Sequence, residues 1–556
     1  MNEKQTESHE RLKKELTDLI EGEVKDSEDV LETYSRDTSL FKVRPELVVC
    51  PKNPEDVKKI VRYVAEHKSK NPKLSITGRS AGTDMTGGPL NESLILSFTE
   101  HINGVEVDED NMEATVEPGA YYRDFEKNIL PDHLSYPPYP ASKTIAAMGG
   151  VVMNNSGGEE TLRWGKTEDY VKEVTMVLSD GNEYTFGKIS RDELEAKKSQ
   201  QNFEGEIYRK VFDLVDQNQE LIQSRRPRVS KNSAGYDLWR IWDGEHFDLS
   251  KLFVGSQGTL GMFLRARLRL VKEKPNKKML VLFFKSWDSV PDVVNEVLPF
   301  DPESLEVFDR DTMILALRFF PAIAKSAGKK LIPFLWHFLP EAWVGVKMLG
   351  MPKLVMIVEL AEDTEAEADK KAQEIAEKMK SHRRVWTRLL PNKDEEEKYW
   401  IIRRQSFSLL RQNVKGKVAA PFVEDFCILP EKMPEFLPKM LAIMKEYGIK
   451  ANLVGHAGNG NYHTIPLMNL KKASEREKIP VVADKIYKLV IEYGGTITAE
   501  HNDGILRTPY LEEMYGKEMT DLFAAVKNIF DPQNIFNPGK KVGGSKEYFK
   551  AHMAED

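Results

Sequence analysis

The chain has only two cysteines, Cys50 and Cys427, in 556 residues. That excludes a disulfide framework, an iron–sulfur cluster or a cysteine-rich zinc module built from this chain alone, and it fits a reducing cytoplasm. No uncharged apolar run reaches the roughly 20 residues needed to span a bilayer. The charged opening Met1-Asn2-Glu3-Lys4 lacks the apolar core of a secretion signal. An excess of positive charge is also lacking: 88 acidic against 80 basic residues leave a net charge of −8, which argues against nucleic acid as a partner. There is no G-x-G-x-x-G, so the common dinucleotide fingerprint is absent. Gly165-Lys166-Thr167 imitates the end of a phosphate-binding P-loop, but Glu160 stands where its first glycine belongs. ATP hydrolysis is not expected.

The chain is 40% hydrophobic and 30% charged, the balance of a globular protein with ample core. Its most informative stretch is Gly455-His456-Ala457-Gly458-Asn459-Gly460-Asn461-Tyr462-His463, two histidines around a Gly/Asn turn. An apolar-periodic segment (Phe436, Leu437, Met440, Leu441, Met444) and a strand-like Ile449–Val454 precede it. Glycines permit backbone geometries that let two imidazoles converge on one ion. After the break Gly494-Gly495 come Glu500 and His501, a carboxylate beside a third imidazole. His456, His463 and Glu500 together form a donor set suited to a catalytic divalent metal, zinc, manganese or iron, with room for substrate. The plainer alternative is a pair of surface-loop histidines.

In chain order, residues 1–40 read as a helical lead-in with Leu12, Leu16, Leu19 and Ile20 on one face. Pro45–Cys50 reads as a strand, and Asn53-Pro54 as the cap and first position of a helix carrying Val57, Ile60, Val61 and Val64. Leu74–Thr77 is a strand that empties into Gly78-Arg79-Ser80-Ala81-Gly82-Thr83, a turn whose N–H groups could cradle a pyrophosphate. Two further glycine-rich regions are Pro140–Gly150, continuing to Asn154–Gly158, and Gly255–Gly261 before the alternating strand Phe263–Leu270. Three such loops beside apolar strands suit one extended phosphate-bearing ligand, or else are three ordinary turns.

Several motifs in fixed order carry a family resemblance. They are Tyr34-Ser35-Arg36-Asp37, Arg44–Val49, Gly78–Thr83, Gly149–Gly158, Arg163-Trp164-Gly165, Lys231–Asp237 and Gly255–Gly261. Residues 44–271 thereby resemble the FAD-binding domain of the vanillyl-alcohol oxidase and p-cresol methylhydroxylase type. His456–His463, Ala499-Glu500-His501 and Asp531–Lys540 make the C-terminal part similar to FAD-linked D-lactate dehydrogenase and the glycolate oxidase flavin subunit. The resemblance implies a two-lobed α+β flavoprotein: lead-in 1–40, FAD-binding domain 41–273, and a cap with a C-terminal flavin-contacting segment, 274–556. FAD contacts are expected at Gly78, Arg79, Ser80, Ala81, Gly82, Thr83, Ser142, Thr144, Gly149, Gly150, Asn155, Gly157, Gly255, Gly258 and Asn537. No histidine stands where covalent flavin attachment could be assigned, so FAD is expected to be noncovalent. Gln257 stands where the family usually has Glu, Asn459 replaces a common Asp, and Asn502-Asp503-Gly504 replaces a usual Gly-x-Gly.

The implied reaction is oxidation of a D-2-hydroxy acid, D-lactate or glycolate first, to the 2-oxo acid. A D-2-hydroxyglutarate-type enzyme and a non-catalytic flavin subunit of a larger complex are the alternatives. His501 is the expected base, because imidazole titrates near neutrality. Arg403 aligns with an arginine that clamps substrate carboxylate in similar enzymes, although it or Arg404 could equally be a surface residue; Asp425 matches a family aspartate. Electrons would leave to an acceptor protein or a quinone. The segment 313–350 mixes aromatics such as Phe319-Phe320 and Trp336 with Lys325, Lys329 and Lys330, and is expected to pack internally or dock at a membrane face or partner subunit.

Overall fold

A computed structural model describes residues 3–318, 348, 350–413 and 416–555. Most of segment 313–350, and the docking expected of it, lies outside the described residues. Among the described residues, no helix is long and apolar enough to cross a membrane.

The first sheet has four strands in the order Glu23–Lys25, Leu47–Cys50, Leu94–Ser97 and Ile76–Arg79, the last three mutually parallel. Its cover is the helix Pro54–His67, capped as expected: Asn53 Oδ1 accepts from the Asp56 N–H at 3.0 Å. Val57, Ile60, Val61 and Val64 bury against Leu47, Val49, Leu94 and Leu96. The helix Glu3–Leu19 adds Leu12 and Leu16 to the same core, joined by Ile20. Within the helical lead-in 1–40, the short strand Glu23–Lys25 pairs with Leu47–Cys50 and so adds an edge to this sheet.

A six-stranded antiparallel sheet follows, ordered His246–Asp248, Glu183–Ser190, Val171–Val177, Met262–Arg269, Glu113–Val116 and Val105–Asp108. In Met262–Arg269 the inward Ala266 and Leu268 alternate with outward Arg265, Arg267 and Arg269, the period of a half-buried strand. Together these two sheets form the first lobe.

The second lobe is an antiparallel sheet of eight strands among the described residues. Its centre runs Asn276–Phe284, Leu354–Glu362, Ser304–Asp309, Ala451–His456 and Asn461–Met468. Helices Met433–Glu446 and Lys478–Glu492 bury Phe436, Leu437, Met440, Ile486 and Val490 in one core with Leu280, Val307 and Met356. After this lobe the chain returns to the first. Phe536 bridges to Ile76, and the Lys540 ammonium donates to the Leu90 carbonyl at 2.6 Å.

Candidate active site

Between the lobes lies a cavity of about 700 Å³. From the first lobe it is lined by Gly78, Arg79, Ser80, Ala81, Gly82, Thr83, Ser142, Thr144, Gly149, Gly150, Gly157 and Gly258. The second lobe and the C-terminal part contribute Arg403, Arg404, Glu424, Val454, His456, His463, Ile465, Glu500 and His501. All three glycine-rich regions thus open onto one space.

Asn155, Gly255 and Asn537 do not line it. Asn155 donates to Glu168, and the space beside Gly255 is closed by Asn155 and Asn502. Asn537 is a brace: it accepts from Thr77 Oγ1 at 2.9 Å and donates to the carbonyls of Gly88 at 3.0 Å and Gln257 at 2.7 Å. It therefore holds the lining loops from behind. Arg79 reaches the cavity wall, but its guanidinium is taken up by the carbonyls of Tyr34 and Arg36 at 3.1 and 2.7 Å.

The two bracketing histidines sit on the hairpin Ala451–His456 and Asn461–Met468. Its turn needs glycine at Gly460, where φ is +70° and a Cβ would lie 1.8 Å from the Ile428 carbonyl oxygen. The imidazole rings stand 5.3 Å apart and nearly perpendicular. Each is oriented through Nδ1: His456 against Glu306 Oε1 at 2.5 Å, and His463 against the Glu424 carbonyl at 2.8 Å. That leaves both Nε2 atoms facing Glu500, at 3.5 Å from Oε1 and 3.8 Å from Oε2. Metal-bound histidines are commonly held this way, Nδ1–H on a carboxylate or carbonyl and Nε2 on the ion. Burial, helped by His501, pulls His463 down to about 4, which keeps its imidazole neutral. Burial pushes the Glu500 carboxyl up, but Lys231 and His456 outweigh it and hold the group well below the usual range. One carboxylate and two imidazoles, all buried or nearly so, fit a divalent ion.

His501 stacks on His463 with centroids 5.1 Å apart. Its Nδ1 lies 2.6 Å from Glu424 Oε2, while Glu424 Oε1 accepts from the fully buried Arg507 at 2.5 Å. Burial opposes charge on His501, yet Glu424 and Asp425 raise it to about 10. Asp425 anchors the loop that carries Glu500 and His501. Its Oδ2 accepts from the N–H groups of Ala499, Glu500 and His501 at 2.9, 2.8 and 2.7 Å, and from the Thr498 hydroxyl at 2.7 Å. Burial would raise that carboxyl, but His501 and Arg507 pull it below the usual range.

Neighbours on the helix Lys393–Asn413, Arg403 and Arg404 both face the cavity. Arg403 is buried, with Nε donating to Glu306 Oε2 at 2.9 Å. Arg404 is the more open, stacking on Trp400 and paired through Nε with Glu159 Oε2 at 3.2 Å. Arg403 is thus not a surface residue, whereas Arg404, exposed and ion-paired with Glu159, is the salt-bridged surface arginine that their adjacency allowed. Sequence reasoning missed Glu306 and Glu424. Glu306 lies between Leu305 and Val307 in the buried part of the strand Ser304–Asp309, and its partners are far away in the sequence.

The FAD binding domain model matches residues 45–187, and the model for the C-terminal domain of FAD linked oxidases matches residues 273–541. The chain is 28% identical to the glycolate oxidase subunit GlcD of Bacillus subtilis over 514 residues, covering 91% of each. It is 27% identical to D-2-hydroxyglutarate dehydrogenase of Escherichia coli over 521 residues, covering 91% of this chain and 49% of that protein. It thus spans about half the length of that relative. The crystal structure of p-cresol methylhydroxylase superposes with a TM-score of 0.67 over 98% of both chains at 16% identity, which shows a shared fold. Matched in order through both halves, with the three glycine-rich regions and the His/His/Glu cluster opening on one cavity, the chain belongs to the FAD-linked oxidase family.

Proposed function

We propose that this protein oxidises a D-2-hydroxy acid, D-lactate or glycolate first, to the 2-oxo acid, using noncovalent FAD and a divalent zinc, manganese or iron ion. The observation that carries the reading is the convergence of His456, His463, Glu500, His501, Arg403 and Arg404 on the cavity lined by the FAD-domain loops. When bound, FAD supplies a hydride acceptor, and the divalent ion supplies a Lewis acid whose charge also disfavours the imidazolium of His501. Arg403 and Arg404 receive the substrate carboxylate, since a planar guanidinium meets a carboxylate through paired hydrogen bonds. His501, with Nδ1 held by Glu424, takes the hydroxyl proton on Nε2 as C2 loses hydride.

Arg404 favours a second reading. A second guanidinium on the wall suits a 2-hydroxy acid with a distal carboxylate, such as D-2-hydroxyglutarate. The relatives include both a glycolate oxidase subunit and a D-2-hydroxyglutarate dehydrogenase. The reduced flavin would pass its electrons to an acceptor protein or a quinone.

The deciding experiment mixes anaerobic, metal-replete protein with a panel of D- and L-2-hydroxy acids and follows the flavin's visible absorbance. Bleaching by one D-acid is expected, and the best substrate separates mono- from dicarboxylate readings. A yellow protein bleached by none of them would leave a non-catalytic flavin subunit as the better account.

A further inference from the structure

Glu306 sits in the middle of the second lobe's sheet, on the strand Ser304–Asp309, where every residue but Asp309 is buried. The ladder places it directly opposite His456 on the neighbouring strand. Side chains of directly opposed residues share a face and lie within reach of each other. Both carboxylate oxygens are engaged: Oε1 with His456 Nδ1 at 2.5 Å and Oε2 with Arg403 Nε at 2.9 Å. A carboxylate fully withdrawn from water is costly unless paired on both sides, so its presence among Leu305, Val307 and Phe308 requires these two partners. The partners belong to different tasks. His456 faces Glu500 within the ion-binding set, whereas Arg403 comes from a helix and lines the cavity as a carboxylate receptor.

We propose that Glu306 is a positioning residue that couples these two tasks, fixing the spacing between the ion-binding imidazole of His456 and the carboxylate-binding guanidinium of Arg403. A 2-hydroxy acid presents a hydroxyl and a carboxylate on adjacent carbons, so a site that reads both at once needs that spacing held. Glu306 holds it with one rigid planar group rooted in a sheet. This inference rests on the function proposed above, and it adds a residue which touches neither substrate nor ion.

The test measures ion binding and anion binding separately, without turnover. Mn²⁺ affinity is read by electron paramagnetic resonance on the FAD-loaded protein. The dissociation constants of pyruvate and 2-oxoglutarate are read from perturbation of the oxidised flavin spectrum. In Glu306→Gln the amide can accept from only one of its two partners, so both affinities should fall together, about 10–100-fold for the ion. Flavin content and thermal midpoint should stay near wild type. Unchanged Mn²⁺ affinity, or a loss of ion binding with unchanged 2-oxo acid binding, would overturn the coupling. If Glu306→Gln fails to hold FAD, Arg403→Met serves instead. Arg403 is not an ion ligand, yet freeing Glu306 from it should shift Mn²⁺ affinity at least threefold, and no shift would overturn the proposal. A wild-type protein that binds no divalent ion sinks the ion-assisted reading itself, and the coupling with it. Normal ion binding with no 2-hydroxy acid oxidised would instead sink the reaction and leave the coupling standing on the two affinities.

Discussion

Glu424 holds His501: its Oε2 lies 2.6 Å from Nδ1, so the imidazole presents Nε2 to the cavity. The same carboxylate is tied to Arg507 on its other oxygen, which fixes the ring's orientation from a fully buried anchor. If His501 is the base, His501→Asn should keep its flavin and its divalent ion, yet reduce flavin with substrate about 10²–10⁴-fold more slowly. Stopped-flow reduction at saturating substrate is the measurement, and wild-type rates would remove His501 from the mechanism.

Asp425 governs the loop rather than the chemistry. Its single oxygen satisfies three successive N–H groups, those of Ala499, Glu500 and His501. The Ala499 N–H also has the backbone carbonyl of Asp425 at 3.0 Å, so Asp425→Ala leaves the Glu500 and His501 N–H groups unpaired, at about 1–3 kcal/mol for each that finds no water. Glu500 and His501 then lose their placement together. The expected outcome is loss of both ion content and flavin reduction, unlike His501→Asn, which keeps the ion. Metal analysis of the two variants side by side separates the roles.

What the sequence made legible was local. Asn53-Pro54 starts a helix with a side-chain cap, and Met262–Arg269 alternates across a sheet, because both signals lie within a few residues. The pairing of His456 with His463 was legible for the same reason: a short Gly/Asn turn joins them. Glu306 and Glu424 were not, because the partners that give each acid its purpose lie far from it in the sequence. Glu306 meets His456 across 150 positions, and Glu424 meets His501 across 77. Asn537 was expected as a flavin contact, but its partners Thr77, Gly88 and Gln257 are set by how the C-terminal segment docks, which no nearby residue encodes. Glu23–Lys25 is three residues long, too short for alternation to be read.

Gly149 and Gly150 are adjacent but answer to different constraints. A Cβ on Gly149 would lie 2.4 Å from Ser80 Oγ and 2.8 Å from the Pro118 carbonyl, whereas one on Gly150 meets nothing within 4 Å. Both residues line the cavity. Gly149→Ala should therefore destabilise the protein itself by about 1–3 kcal/mol through overpacking. Gly150→Val should leave the thermal midpoint of the FAD-free protein unchanged and weaken FAD binding by roughly tenfold, about 1.4 kcal/mol. Fluorescence titration with FAD checks this. Equal FAD affinity in Gly150→Val and wild type would mean that Gly150 does not border the bound cofactor.

The seam between the lobes carries its own pH dependence. Lys277 Nζ lies 2.8 Å from Glu303, 3.4 Å from Glu160 and 3.8 Å from Glu359, one ammonium for three carboxylates. Burial, with Glu303 beside it, pushes Glu160 up to about 7. Burial lifts Glu359 to about 8 against the pull of Lys277, with Glu303 and Glu160 adding to the rise. In the unfolded chain both side chains titrate near the ordinary value of about 4.3. The folded protein therefore binds more protons across the interval from about pH 4.3 up to these raised values, and stability falls as pH rises through it. The loss is concentrated where Glu160 of the first lobe meets Lys277, Glu303 and Glu359 of the second. Glu359→Gln keeps an oxygen for Trp400 Nε1, which now donates to Glu359 Oε1 at 3.2 Å, and removes one of the charges. Urea midpoints of the FAD-loaded protein should drop between about pH 5 and about pH 8.5 in wild type, by a free energy of about 1–3 kcal/mol, and the variant should lose much of that slope. Parallel profiles for the two proteins would place the pH dependence elsewhere than in this cluster.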